Sequence, residues 1–333
     1  MEWKTRLTEL LGCEYPILEG GLSAFGFPEL AASVSNAGAH GTITAGAYHT
    51  PEGLRKGIRK YRELSDKPFS VNISITHCKD EEGMLKVVLE EEVPVLETAV
   101  YLADSFGKRA HDAGMKWVHK VATVKHAIHA EEAGADAVII VGLEGIGKKN
   151  INQLTTMTTI FWARKFLHVP LVIAGGIGDA AGFLGALMMG ADGIMMGTRF
   201  MATKECTVAD KYKQQMINLP PDNLKLKHRC LNTPDPKDYN ELMKLREEGM
   251  PMEKWIPKAT ALFLKADKWK SASYEGPEKS GPELERVSTL FSETVATIDN
   301  ILTCQELIDR IIKGAEGLLD SFEFLKSWKQ GKN

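Results

Sequence analysis

The sequence predicts an α/β protein folded as a (β/α)8 barrel. Eight short runs rich in valine and isoleucine recur along the chain. Helix-like segments separate them, at a spacing of about 20–30 residues that suits βαβ units. The runs mostly lack strict alternation of polar and apolar residues, as strands buried on both faces should. In order they read "YPILEGG" (15–21), "AHGTITAG" (39–46), "PFSVNISI" (68–75), "VPVLETAV" (93–100), "MKWVHKVA" (115–122), "ADAVIIVG" (135–142), "PLVIAGGI" (170–177) and "ADGIMMGT" (191–198). Between them, segments such as "TVKHAIHAEEAGA" space their apolar residues at a period near 3.6 and end on glycine. A doubly wound sheet is the rival arrangement of the same units.

Residues 203–290 break the repeat. They are polar, lysine-rich and punctuated by "NLPPDN", "NTPDPKD", "EEGMPME" and "YEGPEKSGPE". A mostly helical insertion is expected after strand 8, followed by a closing helix from about 283. The barrel would then comprise 1–202 and 283–333, with 203–282 as the insertion. Insertions on this side of a barrel lie over its active-site face, so a substrate lid is one use. An arm that joins two copies in a homodimer is the other.

Composition removes several functional classes. Net charge is −3, which leaves no electrostatic footprint for nucleic acid. No apolar run reaches the roughly 18 residues of a membrane span. The start, "MEWKTRLTELLG", is charged throughout and lacks the apolar core of a signal peptide. The five cysteines, at 13, 78, 206, 230 and 304, form no C-x-x-C. Reduced thiols in the cytoplasm are the expectation, and no metal site is expected.

Chemistry in a barrel sits at the C-terminal strand ends. There the chain places Gly20–Gly21–Leu22, Asn72 to His77, Glu97–Thr98, Lys120, Gly142 to Lys148, Gly175–Gly176 and Gly197–Thr198. Two glycine turns, "AGGIGDAAG" and "MGTRF", close strands 7 and 8. Backbone amides without a Cβ in the way approach a phosphate closely, and a following helix N-terminus favours its charge. No G-x-G-x-x-G is present for an adenylate half, so a mononucleotide is expected.

The stretches "PILEGGL", "NAGAHGTI", "PFSVNI", "AGGIGDAAG" and "GADGIMMGTRFMATKEC" resemble the nitronate monooxygenase (2-nitropropane dioxygenase-like) flavoproteins, from about residue 5 to 206. "VHKVATVKHAIHAEEAGADAV" is similar to the NADH:quinone reductase branch of that family, and enoyl-ACP reductases share the scaffold. The resemblance implies a TIM barrel holding FMN without a covalent bond. It implies FMN contacts at Gly20, Gly21, Leu22, Asn72, Lys120, Ala174, Gly175, Gly176, Met196, Gly197 and Thr198.

Those residue types suit the task. Glycines at 20 and 21 let the backbone pass close to the ring. Asn72 carries a donor and an acceptor for the pyrimidine edge. Lys120, on an otherwise apolar strand with Val118 and Val121, would stabilise an anionic reduced ring. Glu97 either orients Lys120 or pairs with it structurally.

The sequence also departs from the family. The usual glutamine at position 19 is Glu19, and the usual Gly-rich segment near the closing helix is "LFSETVATID", where Glu293 and Thr297 either face the site or lie on a helix surface. The loop that usually reads Gln/Asp-Gly-x-Glu-Ala-Gly-Gly-His runs from Val141 to Lys148 here. It keeps its glycines and Glu144, but Lys148 stands where the family's proton-accepting histidine is found. A solvated lysine is protonated at pH 7 and is no base. Lys148 is therefore a candidate clamp for an anionic substrate group such as a carboxylate or a CoA phosphate, and His77 a substitute acid/base. The expected activity is FMN-dependent reduction or dehydrogenation of an enone, quinone or acyl-thioester, with NAD(P)H as a candidate partner. Nitronate monooxygenation, NAD(P)H:quinone reduction and flavin binding without turnover are the alternatives.

Overall fold

The structure is a computed structural model, and it describes residues 1–75, 78, 80–147, 150, 152–222, 236–266 and 291–322. Eight parallel strands carry the fold: β1 (Ile17–Glu19), β2 (Gly41–Thr44), β3 (Phe69–Ser74), β4 (Val95–Ala99), β5 (Lys116–Val121), β6 (Ala137–Val141), β7 (Leu171–Ala174) and β8 (Gly193–Met196). Each falls inside one of the eight apolar runs. They stand in the order β1-β8-β7-β6-β5-β4-β3-β2. A bridge between Leu18 and His40 joins the two end strands and all but closes the barrel. That closure decides against a doubly wound sheet, whose first strand would lie in the middle.

The helices are α1 (Arg6–Leu11), α2 (Pro28–Asn36), α3 (Pro51–Leu64), α4 (Glu81–Glu90), α5 (Asp104–Asp112), α6 (Val124–Glu132), α7 (Thr156–Ala163) and α8 (Ala180–Met189). Five of them start on a side-chain cap: Thr5 accepts the N–H of Thr8 ahead of α1, and four more follow the same pattern. Thr50, Asp80, Thr123 and Asp179 accept the N–H groups of Gly53, Gly83, His126 and Gly182. Such caps satisfy donors that the first helical turn leaves free.

Alternate residues of each strand serve two separate cores. Outward-facing Ile43, Val71, Leu96, Trp117, Val138, Ile173 and Ile194 pack beneath the helices. Inward-facing Leu18, Val95, Val118, Ile139, Val172 and Met195 fill the barrel, and Leu7 and Leu11 of α1 cover its lower end. Burial of each such side chain contributes about 1.5–3 kcal/mol. The upper interior of β2 to β5 is different. Thr44, Asn72, Glu97 and Lys120 occupy it, and burying such groups costs stability unless they are paired.

Beyond β8, α9 (Thr198–Met201) is a single turn, followed by α10 (Asp210–Asn218), α11 (Pro236–Glu247) and α12 (Met252–Ala266). The last two pack together through Trp255 Nε1, which donates to the Leu242 carbonyl at 2.9 Å. They reach the barrel at two loops. Asn150 Nδ2, after β6, donates to the Tyr239 hydroxyl at 3.1 Å. Tyr101, after β4, meets the Trp255 ring edge-on at 6.4 Å.

The expected start of the closing helix at about 283 lies outside the described residues. Among the described residues, 291–303 hold a short 3-10 turn, Glu293–Thr297, and α13 runs Cys304–Ser321. Its start is a capping box in which Thr303 and Glu306 each accept the other's backbone N–H. The T-x-x-E pattern is visible in "TCQE", but the apolar residues before it masked the boundary. No helix among the described residues is long and apolar enough to cross a membrane.

Candidate active site

The strand ends meet above the barrel interior through a few close contacts. Gly20 N donates to the Met196 carbonyl at 2.9 Å and extends the β1–β8 ladder. Gly21 lies directly against Asn72. A Cβ on Gly21 would sit 2.8 Å from Asn72 Cγ, so only glycine leaves room for that amide. Leu22 N donates to Thr44 Oγ1 at 2.9 Å. The Leu22 side chain reaches the Gly197 backbone, where an added Cβ would lie 3.5 Å from it. The ends of β1, β2, β3 and β8 are thereby brought together.

Asn72 and Glu97 face each other in register across β3 and β4. Both are almost fully buried. Asn72 Nδ2 donates to Glu97 Oε1 at 2.7 Å, and Ser74 Oγ donates to Asn72 Oδ1 at 3.0 Å. The amide orientation is therefore fixed from both ends, with one N–H and one lone pair left over. Burial pushes the Glu97 carboxyl up to about 7, against the pull of Lys120 and the Asn72 hydrogen bond. Desolvation holds Lys120 below the usual lysine range, and Glu97 raises it again. Of the two roles open for Glu97, the geometry gives it a hydrogen bond to Asn72, with Lys120 acting on it through its field.

The loops after β6 and β7 are interlocked. Gly175 and Gly176 have φ of +103° and +74°, a region that other residues seldom occupy. A Cβ on Gly175 would lie 2.6 Å from Gly145 N, and one on Gly176 would lie 3.2 Å from Glu144 Cβ. Glu144 Oε2 accepts from Thr156 N at 2.8 Å and from its hydroxyl at 2.9 Å. Glu144 thus caps α7 from the neighbouring loop, where the helix dipole favours a carboxylate. Ala174 faces the barrel interior just below.

The β8 end is tied to residues that the sequence reading did not single out. Ser292 N donates to Thr198 Oγ1 at 3.1 Å, and Ser292 Oγ donates to Thr294 Oγ1 at 2.7 Å. The 2.9 Å contact between the Thr198 and Ser292 hydroxyls then has Thr198 as donor. With its proton committed, the Thr198 hydroxyl has none for a phosphate, and its backbone N–H is what it offers. Among the described residues, the N–H groups of Gly176, Ile177 and Thr198 meet no protein acceptor. Free amides beside two positive-φ glycines fit a phosphate group. Thr297 packs on Gly178, where an added Cβ would lie 2.3 Å from its hydroxyl oxygen.

Glu19 closes the seam between β1 and β2. Glu19 N donates to the His40 carbonyl at 2.9 Å, as a normal rung. At the next rung, Thr42 N donates to Glu19 Oε2 at 3.0 Å. The side chain replaces a main-chain carbonyl where the strands diverge toward Gly20. Glu19 is fully buried and its Oε1 has no partner. Burial, and then the proximity of Glu97, raise its pKa well above the carboxylate range; the Thr42 bond opposes them. In its uncharged form the carboxyl is close to an amide in shape and hydrogen bonding.

Glu19→Gln is therefore expected to preserve the seam and to raise Tm relative to wild type, increasingly so at alkaline pH. A group whose pKa is raised on folding contributes stability that is full below its unfolded pKa, near 4.5 here, and is lost as pH rises. Glu19→Ala orphans the Thr42 N–H and leaves a void, at a cost of about 2–4 kcal/mol. Thermal melts at pH 5 and pH 8 check both; a Glu19→Gln variant that loses ground at pH 8 contradicts this account.

Lys148 and His77 lie outside the described residues. The loop leading to Lys148 is braced from below. Gln153 Nε2 donates to the Val141 carbonyl at 2.6 Å, and Gln153 Oε1 accepts from Asn150 N at 3.1 Å. Neither Gln153 nor Ser292 carries a local motif that would have singled it out.

Comparison with known proteins agrees with this architecture. The nitronate monooxygenase family profile matches residues 4–314. A (3aS,4S,5R,7aS)-5-hydroxy-7a-methyl-1-oxo-octahydro-1H-indene-4-carboxyl-CoA dehydrogenase from Rhodococcus jostii is 29% identical over 97% of this chain and 99% of its own. A probable nitronate monooxygenase of Staphylococcus aureus is 30% identical over 65% of this chain and 72% of its own. The solved structure of FabK from Thermotoga maritima superimposes with a TM-score of 0.75, at 29% identity, over 97% of this chain and 99% of that one.

Proposed function

This chain belongs to the nitronate monooxygenase family of flavin-dependent oxidoreductases, and from that premise we propose that it is an FMN-dependent dehydrogenase or reductase of a CoA thioester. The observation that carries the reading is the end-to-end similarity to a carboxyl-CoA dehydrogenase. The lysine at the position of the family's base supports it: Lys148, followed by Lys149, suits a CoA phosphate better than a nitronate proton.

Bound FMN would supply hydride transfer. The chain's own residues do the rest. The backbone at Gly20 and Gly21 would border the ring. The remaining N–H and lone pair of Asn72 read its polar edge. Lys120 places positive charge where reduction adds negative charge, an electrostatic contribution that needs no rearrangement during the reaction. The free amides of Gly176, Ile177 and Thr198 hold the phosphate. Helices α11 and α12 reach the loops after β6 and β4, and act as a lid over the acyl chain.

Anaerobic stopped-flow mixing of the FMN-loaded protein with 3-hydroxyacyl-CoA, acyl-CoA, NADH, NADPH and propyl-2-nitronate tests this reading. The flavin band is expected to bleach with a CoA thioester or NAD(P)H, and to return on addition of enoyl-CoA. Lys148→Ala is expected to raise KM for the thioester by more than it lowers kcat. Rapid turnover of propyl-2-nitronate with no response to any thioester would overturn the assignment.

A further inference from the structure

The Asn72–Glu97–Lys120 group contains more than cofactor binding requires. An uncharged residue at 97 would accept the Asn72 amide equally well. Instead a carboxyl is buried in the barrel, at 1% exposure, beside a lysine that is itself desolvated. Removing such a group from water is costly unless a partner or a proton compensates.

We propose that Glu97 is the positioning residue of the flavin site: it locks the Asn72 amide and serves as the titrating counter-charge to Lys120, so that cofactor reduction is linked to binding of one solvent proton. The inference rests on the FMN reading above. Its geometric basis is the 2.7 Å bond from Asn72 Nδ2, the 3.0 Å bond from Ser74 Oγ and the register that sets Asn72 opposite Glu97. Lys120 pairs in register with Ala99, two residues further along the same face of β4.

Among the described residues, the charged groups near Glu97 are few. From β5 comes Lys120, and from β1 comes Glu19; Asn72 from β3 is neutral, as are Thr42 and Thr44 on β2. Burial pushes the Glu19 carboxyl well above the usual carboxylate range, which favours its uncharged form. Glu97, poised at about 7, is left as the carboxyl that titrates in the working range. Below that pH, Glu97 is neutral and Lys120 is an uncompensated cation facing the ring. Above it, the carboxylate cancels that charge. An anionic reduced ring is thus less favoured at high pH, and its formation draws a proton from solvent onto Glu97. That proton returns to solvent on reoxidation.

The midpoint potential of the FMN-loaded protein, measured from pH 5.5 to 8.5 against reference dyes, is the test. In the wild type it should fall more steeply with pH near 7 than on either side. Glu97→Gln keeps an acceptor for Asn72, so FMN affinity should stay within about threefold. Its midpoint should match wild type at pH 5.5, exceed it at pH 8.5, and lack the steep region. Glu97→Ala removes the acceptor as well, and should weaken FMN binding about tenfold by fluorescence titration. A wild type that binds FMN but shows no steep region near 7, or a steep region that survives Glu97→Gln, overturns the inference. A wild type that takes up no FMN overturns the cofactor reading, and the inference with it. The wild-type profile decides even if a variant fails to fold.

Discussion

Gly175→Ala should give a folded protein that no longer retains FMN. The new Cβ would stand 2.6 Å from Gly145 N and 3.0 Å from Gly145 Cα, both backbone atoms that no side-chain rotation can move. The residue also sits at φ +103°, where a Cβ adds strain of about 1–3 kcal/mol. The loops after β6 and β7 must separate to relieve both. Separation would undo the Thr156 hydroxyl contact with the Gly175 carbonyl at 2.9 Å and displace the free amides of Gly176 and Ile177. FMN affinity should fall at least about 100-fold, equivalent to roughly 3 kcal/mol. The barrel should survive, because of these two loops only Ile177 belongs to a core and the strand residues that make up the rest stay in place. Fluorescence titration with FMN and a thermal melt give the two readouts. Affinity within about threefold of wild type would place the phosphate elsewhere.

Lys120→Met should lower the midpoint potential and reduce turnover about 10²–10³-fold, the usual effect of deleting one preorganised electrostatic group. Methionine fills similar volume and removes the cost of burying an ammonium, so folding should be unharmed. The reduced ring would lose the cation of Lys120. Glu97 loses the charge that pulls its pKa down, and should hold its proton to higher pH. FMN binding in the oxidised state should change little. An unchanged potential in this variant would put Lys120 away from the ring.

Much of the fold was legible because a barrel strand is buried on both faces. Such strands read as apolar runs, and all eight runs became strands. The capping residues Thr50, Asp80, Thr123 and Asp179 were equally local signals. Ahead of Cys304, residues 291–303 form a 3-10 turn and an extended link rather than helix, because partners distant in sequence hold them.

The site divides the same way. Glycine turns after strands 7 and 8, and polar residues at the ends of strands 3 and 5, are local facts of the chain, and with them the sequence determined the barrel and the family. It left Glu97 between two roles, and gave Glu19 only as a departure from glutamine. Those questions depend on distance and burial across strands. The Asn72 amide is locked by a carboxyl 25 residues away, and the Thr198 hydroxyl is occupied by a serine 94 residues away. Burial where the sheet opens pushes the Glu19 carboxyl well above the usual carboxylate range. Charge state and hydrogen-bond commitment are properties of a side chain's surroundings. Here those surroundings come from other strands and loops, so only the tertiary structure decided them.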